Sequence, residues 1–454
     1  RREGKTISQH QEHRRKPERA DPFPMPFLFQ NSAKWLYFRK NFKMSSKLNY
    51  LYLLVSLLVS ALGLGRNFIF MGYLDLASIG QIAFMQTIVM LVGFVQLGLI
   101  NGGYRIYASD KPVKSKVNDV IVIYLSGLSF VAALALLFFK SNWNYLDVKF
   151  EVALLGVTAG FFTLFSNWFS NMLIANQKLI MSSLINLSAA LVSFSLVYVC
   201  IDQDLYILLM ALAIQPILIL MAALLLNPDL RVRTLNFDID IFKQTFILGV
   251  IPFVAMLFLL SIYQVERWTI VWALGADNLG RYYLVIMYTS IFTLLPASLL
   301  NLYYPRLIRA YEGRDKSIFR SVLRRYLIEL LLYLIIVIVI TLTVMPMIID
   351  MFLPKYSGLQ DLVLISLPGL MFLALSDVAS LLFLTVNRLK NIFYAGITML
   401  ITYLFLLSVF VLMDLLTLQT AAYIRSAALF VGFLALSAQL VVESRSSTYH
   451  WLRI

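Results

Sequence analysis

From Asn49 onward the chain alternates long apolar stretches with short polar breaks. Runs of mostly apolar residues fall near 50–72, 79–101, 118–139, 152–174, 179–201 and 205–226. After a charged break (NPDLRVRTLNFDIDIFK) they resume near 245–272, 282–304, 326–349, 360–384, 391–413 and 416–440. About twenty such residues cross the hydrocarbon core as a helix. An isolated strand would leave its backbone groups unpaired in lipid. The pattern therefore predicts an all-α integral membrane protein with twelve transmembrane helices, six on each side of the central break. The seventh run, interrupted by Glu266 and Arg267, is the least regular.

Charge on the connections gives the orientation. Seventeen Lys/Arg follow the even-numbered spans: Arg105, Lys111, Lys114, Lys116, Lys178, Arg231, Arg233, Lys243, the seven from Arg306 to Arg325, Arg388 and Lys390. Only four, Lys140, Lys149, Arg281 and Lys355, follow the odd-numbered ones. The positive-inside bias puts the first group and both termini in the cytoplasm. The alternation runs through all twelve spans, and a miscounted span would have broken it.

Composition narrows the class. The chain is 454 residues long, 60% hydrophobic and 14% charged, whereas soluble domains are roughly 45–50% apolar and about 25% charged. Cys200 is the only cysteine, and His10, His13 and His450 lie near the ends. An internal disulfide is therefore excluded, and no His/Cys metal site can form within the body. Of the net charge of +14, residues 1–43 carry eleven Lys/Arg against four Asp/Glu in a polar, Pro- and Arg-rich tract. The expected division is a basic tail (1–43), disordered or upstream of a start at Met44, then an N-lobe (44–226), a cytoplasmic linker (227–244) and a C-lobe (245–454). No connection is long enough for a folded catalytic domain, so no enzyme activity and no cofactor are expected, and transport is the default.

Sliding the chain by 200 residues lays spans 1–2 on spans 7–8. Leu74 meets Leu274, Gly80 meets Gly280, Leu99 meets Leu299, Asn101 meets Asn301 and Tyr104 meets Tyr304. Six crossings per unit is an even number, so the lobes share one orientation. The repeat is then parallel, with substrate between the lobes near the midplane.

The stretch ERWTIVWALGADNLGRYYLVIMYTSIFTLLPASLLNLYYPRLIRAYEGRD resembles the seventh-to-eighth-span signature of polysaccharide-export flippases of the MOP exporter superfamily. Glu266, Leu279, Gly280, Tyr282, Pro305, Arg306, Glu312 and Gly313 fill its places. RNFIFMGYLDLASIGQIAF with VQLGLINGGYRIYAS is similar to the matching segment of the first half, with Arg66, Gly80, Gly98 and Arg105. Twelve spans and short loops look most like the O-antigen (Wzx-type) members, and Glu266 stands where many members have Asp. The resemblance implies a MATE/MOP-like fold in a bacterial inner membrane. It also implies a flippase for undecaprenyl-diphosphate-linked oligosaccharide, and partners that include membrane lipid, a coupling proton or sodium ion, a glycan polymerase and a chain-length regulator. Nucleic acid is not expected.

Ionisable groups inside spans are costly and are functional candidates by default. Arg66 either meets the diphosphate with its planar fork or snorkels to the outer interface. Glu266 and Arg267 project about 100° apart on a helix, so they cannot both face one cavity and pair with each other. Arg267 then serves the substrate. Glu266 serves a coupling cation or a partner Arg, or else joins Arg66 in a pair that stabilises the lobes. Asp377 is a proton carrier or the structural partner of Arg425, itself a third cavity cation. Glu329 is an i,i+4 partner of Arg325. Arg105, Arg306 and Arg309 stand at the cytoplasmic mouth. Two rivals remain. A cation-coupled drug or solute antiporter of the same fold predicts an acidic cavity, and a glycan polymerase predicts a long outer loop.

Overall fold

The computed structural model describes residues 46–107, 114–138, 149–176, 178–232, 236–313, 315–386 and 388–445. The tail expected over 1–43 lies outside them. Each expected span is matched by helix: α1 (Ser46–Tyr73), α2 (Leu76–Phe94) with α3 (Leu99–Tyr107), α4 (Lys114–Phe138), α5 (Phe150–Ala175), α6 (Leu179–Val199) and α7 (Leu205–Leu226). The second set is α8 (Ile239–Leu274), α9 (Ala276–Glu312), α10 (Lys316–Phe352), α11 (Gln360–Thr385), α12 (Leu389–Leu412) and α13 (Leu418–Arg445). Eleven of these helices are long and apolar enough to cross a membrane. The remaining long helix, α8, runs unbroken for 36 residues. Glu266 and Arg267 interrupt its apolar run without breaking the helix.

Two elements depart from one helix per span. The second span is divided, with turns at residues 95–98 and left-handed backbone at Leu97 (φ 49°) and Gly98 (φ 83°). The equivalent stretch of α9, which contains Pro296, stays helical. Helix starts are fixed locally. Asp204, Asp238 and Asp315 cap α7, α8 and α10 by accepting backbone N–H groups one to two residues inside the helix. Gly275 (φ 89°) ends α8 and is the whole connection to α9, a conformation that favours glycine.

The same packing recurs in both halves. α2 lies against α5 and α5 against α7, as α9 lies against α11 and α11 against α13; α6 pairs with α7 as α12 pairs with α13. This is the parallel repeat expected from the 200-residue offset. The first half is centred on Phe84, Trp168 and Met172. Trp168 donates to Asn118 (2.9 Å), Asn118 donates to the Leu230 carbonyl (3.0 Å), and Lys178 donates to Asn227 (2.7 Å), which ties the start of the linker to the N-lobe. The second half is held by Tyr303, Tyr326 and Leu381 on one side and by Ile262, Tyr403 and Leu429 on the other. Large apolar residues left on the outside, such as Leu331, Ile335 and Val339 on α10, suit a helix bathed in lipid.

Candidate translocation site

Glycines bring the lobes together at two levels. At the N-terminal ends of α2 and α9, a Cβ on Gly80 would lie 1.9 Å from the Ala276 carbonyl oxygen, and one on Gly280 would lie 1.9 Å from that of Leu76. The two contacts are related by the 200-residue offset, so α2 and α9 cross about the repeat axis with backbone against backbone. Tyr356 donates to the Gly280 carbonyl (3.1 Å), Lys355 donates to the Leu74 carbonyl, and Phe68 meets Phe352. Desolvation holds the Lys355 ammonium below the ordinary lysine range, against the opposing pull of Asp75.

The second contact joins the divided second span to α8. Gly98 and Gly102 on the second span lie against Gly249 and Thr245 of α8; a Cβ on Gly102 would fall 1.9 Å from the Thr245 carbonyl oxygen. Arg105 donates to the Leu248 carbonyl (3.3 Å) beside this contact. Arg105 was expected at a cytoplasmic mouth, and here it straps α3 to α8. Arg306 is exposed and stacks over the Tyr303 ring at 5.6 Å. The Arg309 side chain lies outside the described residues.

The membrane-depth polar groups lie near the α2–α9 contact. Arg66 stands seven residues before the end of α1, about 10 Å along the axis. Its Nη1 donates to Ser193 on α6 (3.1 Å) and Gln215 on α7 (3.0 Å), and its Nε has no partner. Arg267 is seven residues before the end of α8. It crosses to the other lobe, where its hydrogen-bond partner is the Met90 sulfur at 3.6 Å. Tyr283, between them, feels both guanidinium groups and accepts a hydrogen bond from Gln86 of α2 (3.2 Å).

Glu266 takes the opposite direction, as the 100° step along a helix requires. It is 2% exposed, accepts from the Tyr282 hydroxyl (2.7 Å) and pairs with Arg425 (3.2 Å), itself 1% exposed. Two expected pairings are thereby corrected. Glu266 does not pair with Arg66, because each is anchored inside its own lobe. Arg425 does not pair with Asp377, because its guanidinium faces Glu266 and the Tyr282 ring. Arg425 is accordingly not placed to line a cavity. Asp377 has no hydrogen bond or ion pair among the described residues. Glu329 bonds Arg325 at 2.9 Å, as the i,i+4 spacing predicted.

Sequence reading missed Ser193, Gln215 and Gln86, since a polar residue in a span carries no mark of its partner. The glycine contact between the second span and α8 had one visible signal, the Gly98-x-x-x-Gly102 spacing that lets helix backbones approach. Away from all these groups, an apolar groove of about 620 Å³ lies on the α6–α7 face, lined by Ile180, Leu184, Val192 and Leu218.

No family model matches the sequence, and no curated protein matches it. Solved structures do. An inward-facing multidrug resistance MATE family transporter of the MOP superfamily superposes with TM-score 0.65 at 15% identity, over 86% of this chain and 96% of that one. The lipid II flippase MurJ in an inward closed conformation gives TM-score 0.69 at 14% identity, over 86% and 87%. A MOP superfamily transporter from Pyrococcus furiosus, described as having a binding pocket of reversed polarity, gives 0.58 at 14%, over 87% and 95%. These neighbours are transporters and flippases, not enzymes. At such identities the likeness establishes architecture: the chain is a multi-pass membrane protein with the two-lobed fold of the MOP superfamily transporters.

Proposed function

We propose that the protein is a flippase that carries a polyprenyl-diphosphate-linked oligosaccharide from the cytoplasmic to the periplasmic leaflet of a bacterial inner membrane. The glycan is a surface-polysaccharide repeat unit of the O-antigen kind. The observation that carries the reading is Arg267, a guanidinium inside a span that crosses to the opposite lobe and has a thioether as its hydrogen-bond partner. An uncompensated cation at that depth is costly unless it serves a ligand, and its planar fork matches diphosphate oxygens. Arg66, on the other lobe, is held by two neutral groups that leave its charge intact. Glu266 is neutralised by Arg425, so the guanidinium charge left over at this depth belongs to Arg66 and Arg267. The polyprenyl tail stays in lipid while only the charged, sugar-bearing head crosses. No bond is made or broken, so neither a nucleophile nor a cofactor is needed.

In this reading the Glu266–Arg425 pair braces α8 against α13, and ion coupling falls to Asp377. The basic inner connections and both termini face the cytoplasm. Arg105, Arg306 and Arg309 meet substrate at that face, and a polymerase and chain-length regulator act on the product across the membrane.

The test is flipping of a lipid-linked oligosaccharide in reconstituted vesicles. Arg267→Ala is expected to lower the rate at least tenfold, with Arg267→Lys retaining part of it. An unchanged rate in Arg267→Ala at equal protein level rejects the proposal. Gradient-driven efflux of organic cations without lipid flipping would instead identify an antiporter of the same fold.

A further inference from the structure

Gln264 of α8 is 3% exposed, and neither its amide nitrogen nor its amide oxygen has a hydrogen-bond partner among the described residues. Leaving a buried donor and a buried acceptor both unpaired destabilises the empty protein. The position of the side chain says what it faces. Steps of about 100° place Gln264 between Arg267 and Trp268 on the helix surface. Both of those reach α2 of the other lobe. Arg267 meets the Met90 sulfur at 3.6 Å, and the Trp268 and Phe84 rings lie 4.7 Å apart, edge to face. Gln264 therefore points across the boundary between the lobes.

The second span leaves room at this level. Gly93 shares a face of α2 with Gln86 and Met90, which both bond the C-lobe. A Cβ on Gly93 would meet no atom within 4 Å, whereas one on Gly80 or Gly98 would strike a carbonyl group of α9 or α8. The span is thus pressed against the C-lobe at two places and stands off between them. Gln264 lies on α8 between Gly249, at one of those contacts, and Arg267. The Arg267 side chain, one turn on, is partly exposed. Residues three apart on a helix stand about 5–6 Å from each other, a spacing that suits a phosphate and the ring hydroxyls of the sugar it carries.

We propose that Gln264 is the specificity-determining residue for the sugar next to the diphosphate. Its amide oxygen accepts from one ring hydroxyl and its amide nitrogen donates to the neighbouring one, while Arg267 holds the phosphate. A planar group with one acceptor and a donor beside it matches a vicinal hydroxyl pair, and its oxygen has nothing to accept from an ionised phosphate. The pairing forms when the lobes part and the sugar enters, and the empty, closed protein carries the amide unpaired. A site built to pair hydroxyls discriminates strongly against a ligand that lacks them. The inference rests on the reading of the cargo as a diphosphate-linked glycan and adds which part of it is recognised, and by what.

The experiment compares the binding of two lipids to the whole protein in nanodiscs: the lipid-linked glycan extracted from the cells that make it, and bare polyprenyl diphosphate. The unaltered protein is expected to bind the glycan form about tenfold more tightly or better. Gln264→Leu and its unbranched counterpart Gln264→Met should lose that preference and keep their affinity for the bare diphosphate. With neither lipid present, both variants should unfold at a higher temperature than the unaltered protein, which a glutamine with a purely structural role would not allow. A preference that survives both substitutions, or a lower unfolding temperature in both, overturns the proposal. Binding of neither lipid by the unaltered protein removes the substrate reading and this assignment with it. Binding of both lipids with no preference to lose removes the assignment alone.

Discussion

Gly80 and Gly280 stand 200 residues apart in the chain and in backbone contact in the fold, each excluding a Cβ from the other's helix. The contact is reciprocal: Leu76 faces Gly280 as Ala276 faces Gly80. A crossing that close makes the N-terminal ends of α2 and α9 a natural closure, because the two helices meet without side chains that would have to move aside.

The first prediction concerns that closure. In a Cys200→Ala background, Gln86→Cys should be poorly labelled by a membrane-impermeant maleimide added from the periplasmic side. Adding Gly80→Val or Gly280→Val should raise the labelling rate several-fold, since neither backbone carbonyl can give way by the distance a side chain there needs. Equal labelling with and without valine would mean that the lobes part elsewhere.

The Glu266–Arg425 pair offers a second. Removing one partner of a buried ion pair leaves a bare charge and costs about 3–5 kcal/mol, whereas replacing both with apolar residues costs far less. Thermal unfolding in lipid should therefore drop sharply for Arg425→Leu and recover most of the loss in Glu266→Leu/Arg425→Leu. Additive losses would show that the two residues do not act on each other.

A third separates neighbours in the divided second span. Leu97 holds a left-handed backbone, which costs a residue with a Cβ roughly 1–2 kcal/mol. Leu97→Gly should therefore be neutral or stabilising. Gly98→Ala should be clearly destabilising, because its Cβ would also sit 2.4 Å from the Gly249 carbonyl oxygen. Unfolding temperatures of the two variants, measured side by side, decide the point.

The fourth turns Arg66 into a copy of the other lobe's arrangement. Gln215 holds Arg66 without neutralising it, so Gln215→Glu should create an intralobe ion pair. Flipping is expected to fall about tenfold while thermal stability holds or rises, and Gln215→Leu should do less to flipping. A Gln215→Glu protein with normal flipping would remove Arg66 from the substrate path.

Much of the fold is legible before any coordinates. Hydrocarbon permits few backbone solutions, so twenty apolar residues between charged breaks name a helix. The repeat is legible too, because Gly80 and Gly280 occupy one register. The break in the second span is not. Val95-Gln96-Leu97-Gly98 unwinds although it holds no proline, while Leu295-Pro296-Ala297-Ser298 at the equivalent place stays helical. Gly98, where the second copy has Ser298, takes a left-handed backbone and lies against Gly249 of α8.

The sequence by itself determined where the spans fall, the twofold duplication and the set of charges held at membrane depth. Each follows from a local cost, the transfer of backbone or charge into lipid, which every residue meets wherever its helix packs. Only the tertiary structure decided which charges are used up and which stand free. Glu266 met Arg425, Arg66 met Ser193 and Gln215, and Arg267 and Asp377 met no opposite charge. Those outcomes depend on which face each helix turns to its neighbours, and that is set by packing among residues 127 to 159 positions apart.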